Sequence, residues 1–165
     1  MRQATKEEVS SLQYWHPSLE LFYVTEEDQY MQAAKVVRNT LSTDRFHSTG
    51  AVVVKDGEII GKAANQAGFK HEYFIRLHEQ GKCVRKWFKV KSGTHYWLCP
   101  GCSKSKDHAE TGASKDALKN HPDKVEGATL YLYGHWWCCE PCAKAMVHAG
   151  IKNVVLLEDA KNVFR

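Results

Sequence analysis

The sequence predicts an α/β fold built on a mixed sheet, and two observations carry that expectation. Ala51 to Val54 and Glu58 to Gly61 flank Asp56-Gly57. Asp-Gly between apolar runs is a two-residue hairpin signal, because both turn residues need positive φ. Further on, Ala128 to Tyr133, the stretch from Pro141 to Ala149, and Val154 to Leu157 read as strand, helix and strand with short links. That order implies a right-handed parallel crossover. The chain has 165 residues, 43% of them apolar and 25% charged, which predicts one globular domain with a real core. A net charge of +4 favours an anionic partner and is too small to imply nucleic acid by itself. No window approaches the roughly eighteen apolar residues of a membrane-spanning helix. The polar N-terminus runs into no apolar signal core, so export is not expected.

Residues 1–24 read as an N-terminal arm covering the core, with Trp15, Leu19, Leu21, Phe22 and Tyr23 as its packing side chains. Thr25 is a candidate cap for the helix that follows, whose first turn is acidic through Glu26, Glu27 and Asp28. Tyr30, Ala33, Ala34, Val37 and Leu41 recur at helical spacing, and Ser42-Thr43-Asp44 closes that helix. After the hairpin comes Ala64-Asn65-Gln66-Ala67-Gly68, a loop where Asn65 could meet a ligand or form a turn. Residues 69–107 are polar, aromatic and basic with weak periodicity, and Ser92-Gly93 and Pro100-Gly101 mark turns. A stretch that long without clear elements is functional or cross-linked. Asp107 is the expected cap of the next helix, whose buried face is Ala109, Ala113, Ala117 and Leu118. Residues 158–165 finish as a short amphipathic tail.

The cysteines fall in groups: Cys99-x-x-Cys102 and Cys138-Cys139-x-x-Cys142, with Cys83 alone upstream. Close pairs beside histidines indicate metal ligation in a reducing, cytoplasmic compartment rather than disulfides. His108, Cys139 and Cys142 make three protein ligands for zinc and leave a fourth position open for water, as a catalytic site requires. Glu110 stands two residues from His108, placed to move protons for that water. His-x-Glu followed by Cys-x-x-Cys is the signature of zinc-dependent nucleobase deamination. Asp107-x-x-Glu110 also fits a capping box, in which Glu110 would merely return to the backbone; the Cys-x-x-Cys downstream favours the catalytic reading. Cys139, not Cys138, has the spacing to share an ion with Cys142. In the segment upstream, Cys83, Cys99 and Cys102 with one histidine would close a structural zinc site; His71, His78 and His95 lie near, and His78 is the favoured fourth ligand.

With these residues in view, the sequence resembles the cytidine/deoxycytidylate deaminase superfamily, closest to the dCMP deaminases, over residues 26 to 158. Asp28 to Leu41 looks like the family's first helix, Gly50 to Gly61 is similar to its first hairpin, and Asn65 falls where a nucleoside-binding asparagine follows. Cys83-Val-Arg and Tyr96-x-Leu-Cys99 resemble the segment that carries a second zinc, and Cys142 to Ile151 looks like the second-cysteine helix. The resemblance implies a three-layer α/β/α fold around a five-stranded mixed sheet, hydrolytic deamination of dCMP to dUMP, and a homo-oligomer. It makes Asn65 a candidate substrate-binding residue, and Ala109 and Trp137, beside the zinc motifs, are candidates with it. Three departures stand out. Cys138 replaces the proline usual before the first cysteine ligand, residues around Pro100-Gly-Cys102 are inserted ahead of His108, and Trp136-Trp137 occupies a segment usually smaller and more polar. Those tryptophans could stack on a base or pack the core. Two competing functions remain at this stage. One is a deaminase of bases in tRNA or single-stranded DNA, for which Lys82 to Lys91 with Trp87 and Phe88 would bind phosphates and stack bases. The other is a non-catalytic module with two structural zinc sites.

Overall fold

The central strands are apolar along most of their length, so both faces of the sheet need cover, and a layer of helix lies on each. A computed structural model describes residues 1–91 and 94–164; the turn expected at Ser92-Gly93 lies outside them. The strands are β1 (Arg2–Gln3), β2 (Glu20–Val24), β3 (Gly50–Lys55), β4 (Glu58–Ala64), β5 (Thr129–Tyr133) and β6 (Asn153–Leu157). They form one sheet in the order β1-β2-β6-β5-β3-β4. The pairs β2–β6 and β5–β6 are parallel; β1–β2, β3–β5 and β3–β4 are antiparallel. Val52, Val54, Tyr131, Tyr133, Val155 and Leu157 face one way and meet Met31, Ala34 and Val37 of helix α2 (Gln29–Leu41). Ala51, Val53, Leu130, Leu132, Val154 and Leu156 face the other way. They meet Ala113 and Ala117 of α5 (Ala109–Asn120) and Ala143 and Met146 of α6 (Glu140–His148). The result is the expected three layers around a mixed sheet.

The sheet has six strands rather than the expected five. The extra strand is β1, two exposed polar residues paired with Phe22 and Tyr23. Such a strand has no alternation to read in the sequence. It is held from outside, by Arg2 on Glu8 at 3.0 Å and by a capping box between Thr5 and Glu8 at the start of α1 (Lys6–Ser10). Residues 1–24 therefore do more than cover the core, since β2 is hydrogen-bonded along the whole of β6.

The hairpin forms as expected, with Asp56 and Gly57 at φ of 48° and 84°. The cap of α2 is not Thr25 but Asp28, whose carboxylate accepts from the amides of Tyr30 and Met31. An N-cap side chain must stand one residue before the first helical turn, which here is the last residue of the acidic run. Leu41, expected on the buried face, is exposed at the helix end. Residues 69–107 are more regular than expected. They contain α3 (Glu72–Glu79), α4 (Val84–Trp87) and 3-10 turns at Tyr96–Leu98 and Ser105–Asp107. These pieces are too short to impose a visible period on the sequence. The last helix, α7 (Ala160–Val163), closes the chain.

Candidate active site and metal centres

Two helix starts meet at one end of the sheet. His108 is the N-cap residue of α5 in extended conformation, and Cys139 is the N-cap residue of α6, with Pro141 in its first turn. Asp107 is not the cap; it belongs to the 3-10 turn, and no capping box forms around Glu110. The competing structural role for Glu110 is thereby absent. The His108 Nδ1 atom lies 3.6 Å from Cys139 Sγ and 3.3 Å from Cys142 Sγ, and the two sulfurs are 3.2 Å apart. All three donor atoms lie within 4.8 Å of one another. Zinc bonds of about 2.0–2.3 Å set tetrahedral edges near 3.5–3.8 Å, so this donor set fits zinc by chemistry and by spacing. Cys138 points away, fully buried among the core side chains of α5 and β5.

The electrostatics of the site follow from burial and proximity. The hydrogen bond between the two free cysteines, helped by His108, holds Cys139 down at about 5, whereas that hydrogen bond and burial push Cys142 up. Burial pulls the His108 imidazole down, but hydrogen bonding to Cys139 and the charge of Glu110 more than offset it, and the net shift is upward. Burial raises the Glu110 carboxyl, against the opposing pull of His108. A carboxyl so raised exchanges protons closer to neutral pH, as a general acid–base group must.

Glu110, His108 and Cys139 line a cavity of about 150 Å³, together with Asn65, His135 and Trp137. Asn65 is buried and mostly engaged. Its Oδ1 accepts from Ser42 Oγ at 2.7 Å and the Thr49 amide at 2.8 Å, and its Nδ2 donates to the His47 carbonyl at 2.7 Å. One Nδ2 hydrogen remains for a ligand. Ala109 is also buried, but its side chain packs in the core rather than on the cavity wall. Any contact it makes with a ligand comes through its backbone amide, which as a first-turn amide has no partner within the helix. Arg45, Lys62 and Tyr133, other cationic or polar side chains near the sequence motifs, do not line the cavity.

Sequence reasoning missed His47 and His135; Arg85, which also lines the cavity, is visible in the sequence only as part of Cys83-Val-Arg and of the basic stretch Lys82 to Lys91. The backbone amides of Trp136 and Trp137 donate to His135 Nδ1 at 3.1 and 3.3 Å, which leaves the hydrogen on Nε2. Burial and the neighbouring histidines lower His135 to about 4, so the ring is neutral. No motif marks these residues, because tertiary contacts bring them to the wall.

The second cluster also assembles. His78, Cys83, Cys99 and Cys102 are all buried, with their donor atoms within 4.8 Å of one another. Cys102 Sγ lies 3.5 Å from His78 Nε2 and 3.7 Å from Cys83 Sγ. Three thiols and an imidazole without an open side are the donor set of a closed structural zinc. The two centres share a wall: Tyr96, from the segment that carries the second cluster, packs edge-on against His108 with ring centroids 5.1 Å apart.

A sequence profile of the cytidine and deoxycytidylate deaminase zinc-binding region matches residues 24–158. The chain belongs to the cytidine and deoxycytidylate deaminase family. It is by family a zinc-dependent deaminase, and the two donor clusters lie inside the matched region. No curated protein matches the chain. Among solved structures, similarity extends to dCMP deaminase from the cyanophage S-TIM5, at 23% identity, 82% of this chain, 86% of that one and a TM-score of 0.45. It extends to guanine deaminase from Bacillus subtilis, at 18% identity, 83% and 68% coverage and a TM-score of 0.45. A bifunctional diaminohydroxyphosphoribosylaminopyrimidine deaminase/5-amino-6-(5-phosphoribosylamino)uracil reductase from Thermotoga maritima is 23% identical over 77% of this chain, with a TM-score of 0.41. The chain spans 28% of that protein's length.

Proposed function

We propose that this deaminase hydrolyses the exocyclic amine of a cytosine nucleotide, converting dCMP to dUMP. The observation that carries the reading is Glu110, a buried carboxyl in the wall of the same cavity as His108 and Cys139. Zinc held by His108, Cys139 and Cys142 would supply a water acidic enough to act as nucleophile near pH 7. Glu110 would hold and move the proton, from the attacking water to the ring nitrogen next to the reacting carbon and then to the departing amine. The balance is cytosine plus water giving uracil plus ammonia. Asn65 offers its remaining N–H, and Trp137 offers an aromatic surface to the base. The cavity holds a base and little more, being well below the roughly 300–1,000 Å³ of sites that enclose a drug-sized ligand. Sugar and phosphate would therefore sit at the mouth; Arg85 is the lining side chain with a permanent positive charge, though its guanidinium also donates to the Thr94 and Lys91 carbonyls and to Cys102.

The test is ultraviolet-monitored deamination of dCMP by zinc-loaded protein beside Glu110→Gln. The variant should keep its zinc and lose about 10²–10⁴-fold in rate. Zinc-loaded wild type that leaves dCMP, CMP and cytidine untouched would overturn the reading.

One observation favours a second reading, a base within single-stranded nucleic acid. Residues 69–107 carry nine Lys and Arg against three Asp and Glu, while the rest of the chain carries fourteen against sixteen. The same segment exposes Trp87 by 62%, Phe88 by 75% and Trp97 by 71%. Positive charge interleaved with exposed aromatics suits a stacked single strand. Oligonucleotide binding whose affinity falls steeply and linearly with log salt supports this reading, and no binding at low salt removes it.

A further inference from the structure

Asp44 is a buried carboxylate outside the candidate catalytic groups, in the segment between α2 and β3. Its Oδ2 accepts from the Ser103 amide at 3.1 Å and from Ser103 Oγ at 3.2 Å, and its Oδ1 accepts from the His47 amide at 3.2 Å. Oδ1 also lies 3.2 Å from His78 Nδ1. That contact is close enough for attraction but not aligned as a full hydrogen bond, and Nδ1 has no other partner among the described residues. The opposite ring nitrogen, Nε2, faces Cys102. On the other side of the ring is Gly101, where a Cβ would collide with His78. His78 is thus held between a backbone with no side chain and a carboxylate, with one nitrogen turned to the cysteines.

We propose that Asp44 is a positioning residue of the second metal centre. It holds the His78 ring with Nε2 toward the ion, and it holds the backbone directly after Cys102. This rests on the reading that His78, Cys83, Cys99 and Cys102 bind zinc. A carboxylate on the far nitrogen of a ligating histidine fixes the tautomer and orientation of the ring, and its loss costs about 10–100-fold in metal affinity. Here a single carboxylate grips two ligand-bearing strands of chain that are 25 residues apart, His78 and Ser103. Its neighbour His47 hands a carbonyl to Asn65, so the segment that steadies the second centre also frames the catalytic cavity.

The experiment is zinc release from the full-length holoprotein to a chromogenic chelator, for wild type, Asp44→Asn and Ser103→Ala. Wild type should yield two zinc equivalents. Asp44→Asn should bind one of them 10–100-fold more weakly and the other unchanged, and Ser103→Ala, the milder change, should weaken the same one by less. The melting temperature of Asp44→Asn should climb with free zinc over a range where wild type is already saturated. A deficit that stays constant at every zinc concentration means that Asp44 is merely part of the packing and overturns the proposal. So do two equivalents held with wild-type affinity in both variants. A single equivalent in wild type overturns the second centre itself, and the positioning role with it. None of these readouts needs turnover, so they stand apart from the question of substrate.

Discussion

Adjacent cysteines at positions 138 and 139 have opposite fates, and burial direction decides which can join a metal-binding set. Cys139 faces His108 and Cys142, whereas Cys138 is enclosed in the apolar cluster that also holds Ala109, Ala143 and Leu130, with Glu110 near it. Cys139→Ala should therefore lose the catalytic zinc outright. Cys138→Ala should keep full zinc content and cost about 1 kcal/mol of stability for the small void it leaves. Elemental analysis and urea midpoints on the two variants check this. His135 supports a prediction about pH. Its folded value is about 4, below the roughly 6.5 of an unfolded histidine, so between those values the unfolded chain binds more protons. The contribution of His135 should be constant above about pH 6.5 and be lost as pH drops toward 4. The ring is only partly buried by accessible surface, so the contribution is about 1–2 kcal/mol rather than the full value of the shift. Urea melts of wild type and His135→Gln at pH 7 and pH 5 should show a shallower loss in the variant.

At the scale of elements, α5 carries both His108 and Glu110, and its height above the sheet is set by small side chains. Gly61 of β4 faces it: a Cβ there would stand 2.5 Å from the Ala113 carbonyl and 2.7 Å from the Ala117 side chain. Neither neighbour can yield, because one is helix backbone and the other is already alanine. Gly61→Ala should push α5 outward, costing about 1–3 kcal/mol by overpacking. Because the donors of one centre come from two helices, zinc affinity at the His108 centre should fall with it, while the centre at His78 is untouched. Denaturation and zinc titration of that variant distinguish this from a local defect.

Across the whole molecule, stability is unevenly distributed. Two apolar clusters sandwich the sheet, whereas the buried apolar side chains of the cluster within residues 69–107 are the three cysteines themselves. A segment with so little core would depend on a metal cross-link at His78, Cys83, Cys99 and Cys102. Chelation of the second zinc should open tryptic cleavage between Lys82 and Lys91 while the far-ultraviolet signal of the sheet persists. Limited proteolysis followed by mass spectrometry reads this directly; cleavage at equal rates throughout the chain would refute it. No helix among the described residues is long and apolar enough to cross a membrane.

The sequence alone determined the features that depend on local chemistry. Asp56-Gly57 dictates its hairpin because of backbone sterics. The continuous apolar strands dictate two covered faces. His108, Glu110, Cys139 and Cys142 declare a candidate zinc site because ligand spacing is a short-range property. Tertiary structure decided what depends on distant partners. It recruited β2 and two polar residues of β1 to the sheet edge, because a strand beside a formed sheet needs only free backbone groups, not a pattern. It selected His78 from three nearby histidines, since only a folded chain brings Nε2 to Cys102. It made Asp44, legible only as the end of a helix, the buried partner of a residue 34 positions away. A carboxylate's role is set by what it faces once water is excluded, and no local sequence signal records that.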